Sequence, residues 1–254
     1  MDLEDSDYKD LDFKKVAAFH GHACPGLALG YRLSLVALRD YLVKRDVDEE
    51  AVAIVENDSC AVDAVQFMTG CTFGKGNLIF KDYGKQVYTF IKRPPQCVTP
   101  KGENAQGGNP QCGSPQGVRA GGENESGNQQ GGHEDGGGEC REQLAEGFRL
   151  SVKWQSPPET IEESRMWERY SGGDRSESVL RAVHDRKSRK IASILDADDD
   201  ELFDVTHVEV RLPEPARIHK SLICGKCGER VMETRTVVNK GHIYCIPCSG
   251  VGGQ

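Results

Sequence analysis

The sequence predicts an α+β core carrying a small zinc ribbon at its carboxyl end, and three observations lead there. Helical and strand-like periodicities succeed one another irregularly, as helices, strand, helix, a run of strands, helices and strand, and not as a repeating βαβ unit. Two Cys-x-x-Cys pairs stand close to the carboxyl end. Between the halves of the core lies a glycine-rich tract whose composition sets it apart from both.

Tyr8 to Phe19 reads as a helix, and Leu27 to Val43 as a second, with Leu27, Tyr31, Leu35, Leu38 and Leu42 at three- and four-residue steps. Ala51 to Val55 is a short apolar run suited to a buried strand. Ala61 to Met68 is helical, and Asn77 to Phe80 returns to strand. Val87 to Ile91 and then Phe148, Leu150, Val152 and Trp154 read as two further strands, the second by its alternation with Arg149, Ser151 and Lys153. Glu159 to Tyr170 and Ser176 to Leu195 are charged amphipathic helices, and Val205 to Leu212 is a last strand. Pro213 and Pro215 then mark a boundary, giving a core over 1–215 and a ribbon over 216–254.

Residues 101–139 hold thirteen glycines and no Leu, Ile, Phe, Met, Trp or Tyr, so they cannot bury enough surface to order themselves. They are read as a disordered part of an insertion over about 94–146 that replaces a hairpin turn. Its charges sum to −4, half of the net −8 of the chain. Cys97, Cys112, Cys140 and His133 are too dispersed there to form a ligand set. The insertion also accounts in part for the low apolar content, 37%, and the mean hydropathy of −0.55.

The acidic balance argues against a general nucleic-acid surface. The chain starts on an acidic, polar stretch, and no segment approaches the roughly 18 apolar residues of a membrane helix, so a cytoplasmic protein is expected. In a reducing compartment the ten cysteines are read as metal ligands, redox groups or buried side chains rather than disulfides.

Cys224 and Cys227, then seventeen residues, then Cys245 and Cys248 have the spacing of a four-cysteine zinc ribbon. Each two-residue interval makes a turn that directs both sulfurs inward, and Gly225, Gly228 and Gly250 sit where such turns often call for positive φ. Thr234 to Val238 and His242 to Tyr244, joined by Asn239, Lys240 and Gly241, read as a hairpin between the pairs. His242 is surplus to a tetrahedron already complete.

A second cluster lies in the core. His20, His22 and Cys24 occupy alternate positions, which an extended backbone would aim to one side. Pro25 makes Cys24 the cap of the helix that follows, where the helix dipole favours a thiolate. Cys60 stands in the same relation to the helix from Ala61. If the two helix starts face each other, His20, His22, Cys24 and Cys60 line one cleft with Asp63 nearby, a set suited to a transition metal or a nucleophilic thiolate. The competing account is histidines that satisfy buried backbone groups and cysteines that fill core space. The stretch from Gly70 to Asn77 is not a Walker motif, having three residues where four are needed and Gly76 where Ser or Thr belongs, but Lys75 could still face an anionic group at the cleft.

The motifs FHGHACPG over Phe19 to Gly26, ENDSCAVDA over Glu56 to Ala64, and GCTFGKGNL over Gly70 to Leu78 running into DYGK over Asp82 to Lys85 resemble the FmdE family, named after a component of formylmethanofuran dehydrogenase. The resemblance covers residues 8 to about 93, resumes near 147 and extends through the cysteine-rich tail. It implies helices packed on a mixed or antiparallel sheet, an appended zinc ribbon, often an intertwined homodimer, and a functional centre at His20, His22, Cys24 and Cys60. Three functions follow as expectations. One is an accessory metal-binding protein of formylmethanofuran dehydrogenase or a related oxidoreductase complex, in a methanogenic or one-carbon setting, with the ribbon as a docking module. Another is an independent enzyme using a thiolate or a second transition metal in the core, with Lys75 holding an anionic substrate. The last is a regulator that binds nucleic acid through Lys220, Lys226, Arg230, Arg235 and Lys240 of the ribbon, charges that Glu229 and Glu233 interrupt.

Overall fold

The computed structural model describes residues 12–94 and 143–250. The expected disorder of the insertion, and the first turn of the first expected helix, lie outside the described residues. The chain divides into two compact units, Met1–Pro215 and Ala216–Gln254.

In the first unit the order is α1 (Phe13–His20), α2 (Pro25–Ala37), a π-helical turn (Leu38–Leu42), β1 (Ala51–Val55), α3 (Ala61–Thr69), β2 (Leu78–Phe80), β3 (Val87–Lys92), β4 (Leu144–Val152), α4 (Ile161–Ser171), α5 (Glu177–Asp196), α6 (Asp199–Leu202) and β5 (Phe203–Arg211). The five strands form one sheet in the order β2-β1-β3-β4-β5. β1 and β2 run parallel and the other neighbours antiparallel, so the architecture is α+β on a mixed sheet. β3 and β4, which flank the insertion, are direct neighbours, with Val87 opposite Ser151 and Ile91 opposite Gly147.

The period of two along each strand divides the apolar residues between two faces. Ala53, Val55, Tyr88, Phe90, Phe148 and Leu150 join the helices in the main core. Val52, Ile54 and Ile91 point the other way and pack with Leu212. β1 is therefore buried along its whole length, as its unbroken apolar run requires. The largest fully buried side chains, among them Tyr88, Phe90, Leu27, Leu33 and Met68, each contribute about 1.5–3 kcal/mol.

α2 lies at the centre and is buried on several sides, at Leu27, Ala28, Leu29, Gly30, Leu33, Ser34, Val36 and Ala37. That burial is broader than the single stripe its three- and four-residue spacing suggested. It ends earlier too: the ladder widens into the π-helical turn after Ala37, and Val43, at φ 72°, stops it. Such turns interrupt helices where packing demands a local adjustment. α2 meets α3 at Gly30, where an added Cβ would stand 2.4 Å from the Ala61 carbonyl oxygen. Only glycine allows that approach.

Arg32 joins α2 to the end of α5. Its guanidinium donates to the carbonyls of Ile194 and Leu195 at 2.8 and 2.7 Å and of Ala197 at 2.7 Å, groups that a helix terminus leaves unpaired, and to Asp199 at 2.8 Å. Arg39 reaches the other oxygen of Asp199. Burial alone would raise the Asp199 carboxyl, but the hydrogen bonds from Arg32 and Arg39 outweigh it and hold it below its ordinary 3.8.

In the second unit β6 (Ser221–Ile223) pairs with β7 (Arg230–Met232), and β8 (Thr236–Asn239) with β9 (His242–Cys245), followed by the short α7 (Ile246–Ser249). The expected hairpin is present, with its first strand starting two residues later than Thr234 because residues 233–235 coil into a 3-10 turn, and its second starting at His242 as expected. The β6–β7 hairpin around the first cysteine pair was not legible in so short a stretch.

Replacing Arg32 with methionine strands three carbonyls and leaves Asp199 with Arg39 alone, so urea unfolding at pH 7 should show a loss of about 2–4 kcal/mol. Because the Asp199 carboxyl is depressed on folding, the ion-pair share of that loss is fully present above about pH 3.8 and fades as the pH falls below it. A deficit that stays constant from pH 7 to pH 3 would show that Asp199 takes no part.

Candidate functional site

The helix starts that carry the core cysteines face one another across the α2–α3 contact. Cys24 caps α2 in extended conformation (φ −147°, ψ 163°), its sulfur accepting the Leu27 amide at 3.4 Å, and Pro25 opens the helix. Cys60 precedes α3 in helical conformation, and its sulfur caps nothing. An added Cβ on Gly26 would lie 3.4 Å from the Cys60 Cβ, which measures how closely the two helix starts approach.

The histidines arrive differently from the extended run that alternation suggested. His20 is the last residue of α1, Gly21 turns the chain at φ 94°, and His22 follows the turn. A side chain at Gly21 would meet nothing, so what glycine supplies is the left-handed conformation. The turn brings the two imidazoles to 4.6 Å between centroids at 39°. One donor atom each from His20, His22 and Cys24 lies within 4.8 Å of the others.

His20 Nδ1 is 2.7 Å from the Asp63 carboxylate on α3. Its other nitrogen, Nε2, is buried and has no hydrogen-bond partner. A buried imidazole with one nitrogen held by a carboxylate and the other left bare has the form of a metal-ligating histidine whose tautomer is set by an outer carboxylate. The donor set fits a transition ion, with two imidazoles and a thiol; Cys60 lies beside Cys24 but outside the group whose donor atoms are all within 4.8 Å of one another.

Cys60 departs from the reactive thiolate expected of it. Burial, and next the hydrogen bond with the Cys24 thiol, push it up from its ordinary value. Cys71, in the third sequence motif, is pushed up to about 12 by burial and is a packing residue. Lys75, expected to face an anion at the cleft, is turned inward instead. Its ammonium pairs with the buried Asp46, which also accepts from the Asn77 side chain at 2.8 Å and the Ala51 amide at 2.9 Å. That cluster fastens the turn before β1 to the start of β2.

A cavity of about 390 Å³ opens beside His20 and Cys60. Asn57, Asp58, Ser59, Asp63 and Gln66 supply its polar wall, and Val55, Val62, Leu78, Phe73 and Phe80 its apolar one. Asn57 is held by Tyr88 Oη at 3.1 Å and donates to the Lys85 carbonyl at 2.7 Å, so the turn that carries Cys60 rests on the sheet. Sequence reading missed Gln66, which donates to Asp63 at 3.4 Å and accepts the Phe73 amide at 3.2 Å. Its position three residues after Asp63 on a helix was the available signal.

In the second unit Cys224, Cys227, Cys245 and Cys248 each bring a sulfur within 4.8 Å of the others. The Gly225 amide donates to the Ile243 carbonyl at 2.8 Å and the Cys245 amide to Cys224 Sγ at 3.4 Å, which ties the two turns together. Gly228 and Gly250 have positive φ, as expected; Gly225 does not, and is instead a site of close approach to Ile243. Cys224 is drawn down to about 6, first by the Cys227 amide and then by that of Cys245. The Glu229 amide favours a thiolate at Cys227, but the neighbouring Cys224, burial and Cys248 outweigh it and push Cys227 up to about 12. Four sulfurs this close cannot all ionise without a cation among them, and the set fits a tetrahedral thiophilic ion.

Residues 19–107 match the family described as FmdE, molybdenum formylmethanofuran dehydrogenase operon. The match spans about a third of the chain. The matched span holds His20, His22, Cys24, Cys60 and Asp63. A protein of Archaeoglobus fulgidus named a probable S-adenosyl-L-methionine-binding protein is 46% identical over 79 residues, which are 30% of this chain and 22% of that one. The chain thus spans about a fifth of that relative's length. A crystal structure of an FmdE-like protein of the tungsten formylmethanofuran dehydrogenase type, from Syntrophus aciditrophicus, has 17% identity and a TM-score of 0.44, over 96% of this chain and 92% of its own. Among the described residues no helix is long and apolar enough to cross a membrane.

The Asp63–His20 bond gives a direct test. Asp63→Ala should weaken divalent-metal binding at the core about 10–100-fold, read by competition with a chromophoric chelator, while the four-cysteine site keeps its affinity. Unchanged core affinity would mean that the carboxylate does not orient the imidazole.

Proposed function

We propose that the first unit, whose residues 19–107 match the FmdE model, is a metal-dependent centre in which His20, His22 and Cys24, with Cys60 as a fourth donor or a neighbour, hold one transition-metal ion at the wall of the 390 Å³ cavity. The observation that carries this reading is the His20 imidazole, tied at Nδ1 by Asp63 and bare at a buried Nε2. A bound ion would supply Lewis acidity, or redox chemistry where the metal allows it, to a small molecule in the cavity. The chain's own residues would do the rest. Asp63 holds the tautomer of His20, Gln66 links Asp63 to the Phe73 turn, and the apolar wall limits water.

A free thiolate nucleophile is the weaker alternative, since burial and the adjacent thiol oppose ionisation of Cys60. The family description supports a setting around formylmethanofuran dehydrogenase and one-carbon chemistry. In that setting the four-cysteine unit would bind zinc and serve as a docking module for a larger oxidoreductase. A second reading, S-adenosyl-L-methionine binding, is favoured by the 46% identity over 79 residues. Calorimetric titration of the full chain with that cofactor should then give saturable heat, and none would dispose of it.

Metal analysis of the full chain tests the first reading. Two ions per chain are expected, with Cys24→Ser and Cys227→Ser each lowering the count to one. On cobalt substitution the Cys24→Ser difference spectrum should carry one fewer thiolate-to-metal band set. A count of one that only Cys227→Ser abolishes would leave the core without a metal.

A further inference from the structure

The cavity beside the core donors has a charge and a shape that select among ligands. Its only charged lining groups among the described residues are Asp58 and Asp63, and neither lysine nor arginine lines it. Asp63 is engaged, with one oxygen on His20 and the other accepting from Gln66. Asp58 sits exposed on the turn before α3 and leaves a carboxylate at the wall. Lys75, the cation best placed by sequence to attract an anion, is committed to Asp46.

The same cavity is lined by two phenyl rings with unusual exposure for their type. Phe73 is 77% exposed and Phe80 46%. Phe73 is held at the backbone by Gln66, so its position is tied to α3 and not left to a loose loop. Exposed rings at the wall of a cavity offer faces of negative potential, and those faces attract cations as carboxylates do. A divalent ion held by the Cys24 thiolate and two neutral imidazoles would add one net positive charge, which the two carboxylates still outweigh.

We infer that the cavity takes an organic cation with a flat or apolar body, seated between Phe73 and Phe80 with its charge toward Asp58, and that it disfavours anionic ligands. The inference rests on the metal-centre reading only in placing the cavity beside the donors. The selectivity itself belongs to the two carboxylates and the two rings.

Two rings of similar size and opposite charge, neither a good metal ligand, make the test: benzyltrimethylammonium and benzenesulfonate, titrated into the metal-loaded full chain by ligand-observed NMR at low salt. The cation should bind at least about tenfold more tightly than the anion. Asp58→Asn should weaken the cation about five- to tenfold with little effect on the anion, and added salt should narrow the gap. Phe73→Leu, at a position too exposed to disturb the core, should weaken the cation as well. Equal binding of the two probes, preference for the sulfonate, or cation affinity indifferent to both substitutions would overturn the inference. Cation preference in a chain whose core holds no ion leaves this inference standing without the metal reading; a loaded core ion with no cation preference does the reverse.

Discussion

The approach of α2 to α3 at Gly30 is the constraint on which the rest of the first unit depends. With no side chain at that position, the helix backbone reaches the carbonyl of Ala61, and an added Cβ would stand 2.4 Å from that oxygen. The consequence is felt at the helix starts: Cys24 before α2 and Cys60 before α3 become neighbours, and the first turn of α3 brings Asp63 under His20. Holding the helices apart by even a methyl group would draw Cys60 away from Cys24 and Asp63 away from His20. Close packing transmits such a shift because interiors have little free volume to absorb it.

Two polar fasteners hold that arrangement from outside. Arg32 gathers the last carbonyls of α5 onto α2, so the helix that carries Gly30 cannot rotate without breaking several hydrogen bonds at once. Asp46 does the same for the loops, joining the turn before β1 to Lys75 and Asn77 at the start of β2. Both groups are charged and largely buried, and both are satisfied by several partners. That is the condition under which a buried charge specifies a structure and does not simply destabilise it.

The two candidate ligand sets illustrate different routes to a binding site. In the four-cysteine unit the ligands come in pairs with two residues between them, and two short hairpins, joined by the Gly225–Ile243 and Cys245–Cys224 hydrogen bonds, bring the pairs together. In the core, His20, His22 and Cys24 are local, but Cys60 and Asp63 come from another helix across a packed interface. The first set is a property of short segments. The second is a property of the whole core.

That difference explains what could be read from the residues and what could not. Element types, the pairing of the strands that flank the insertion and the grouping of the four ribbon cysteines followed from periodicity and spacing, which are local and survive without knowledge of neighbours. The ionisation of Cys60 and the direction of Lys75 did not follow: a helix start promises a thiolate and a glycine-rich turn promises an anion site, but burial raised the one and Asp46 captured the other. The cavity and its rings were equally illegible, because Phe73 and Phe80 sit on a turn and on a strand, and face one space only after the sheet and α3 have packed. Sequence alone determined which groups are present and how they are spaced along the chain. Tertiary structure decided which of them meet, because desolvation and charge pairing depend on neighbours that the linear order does not reveal.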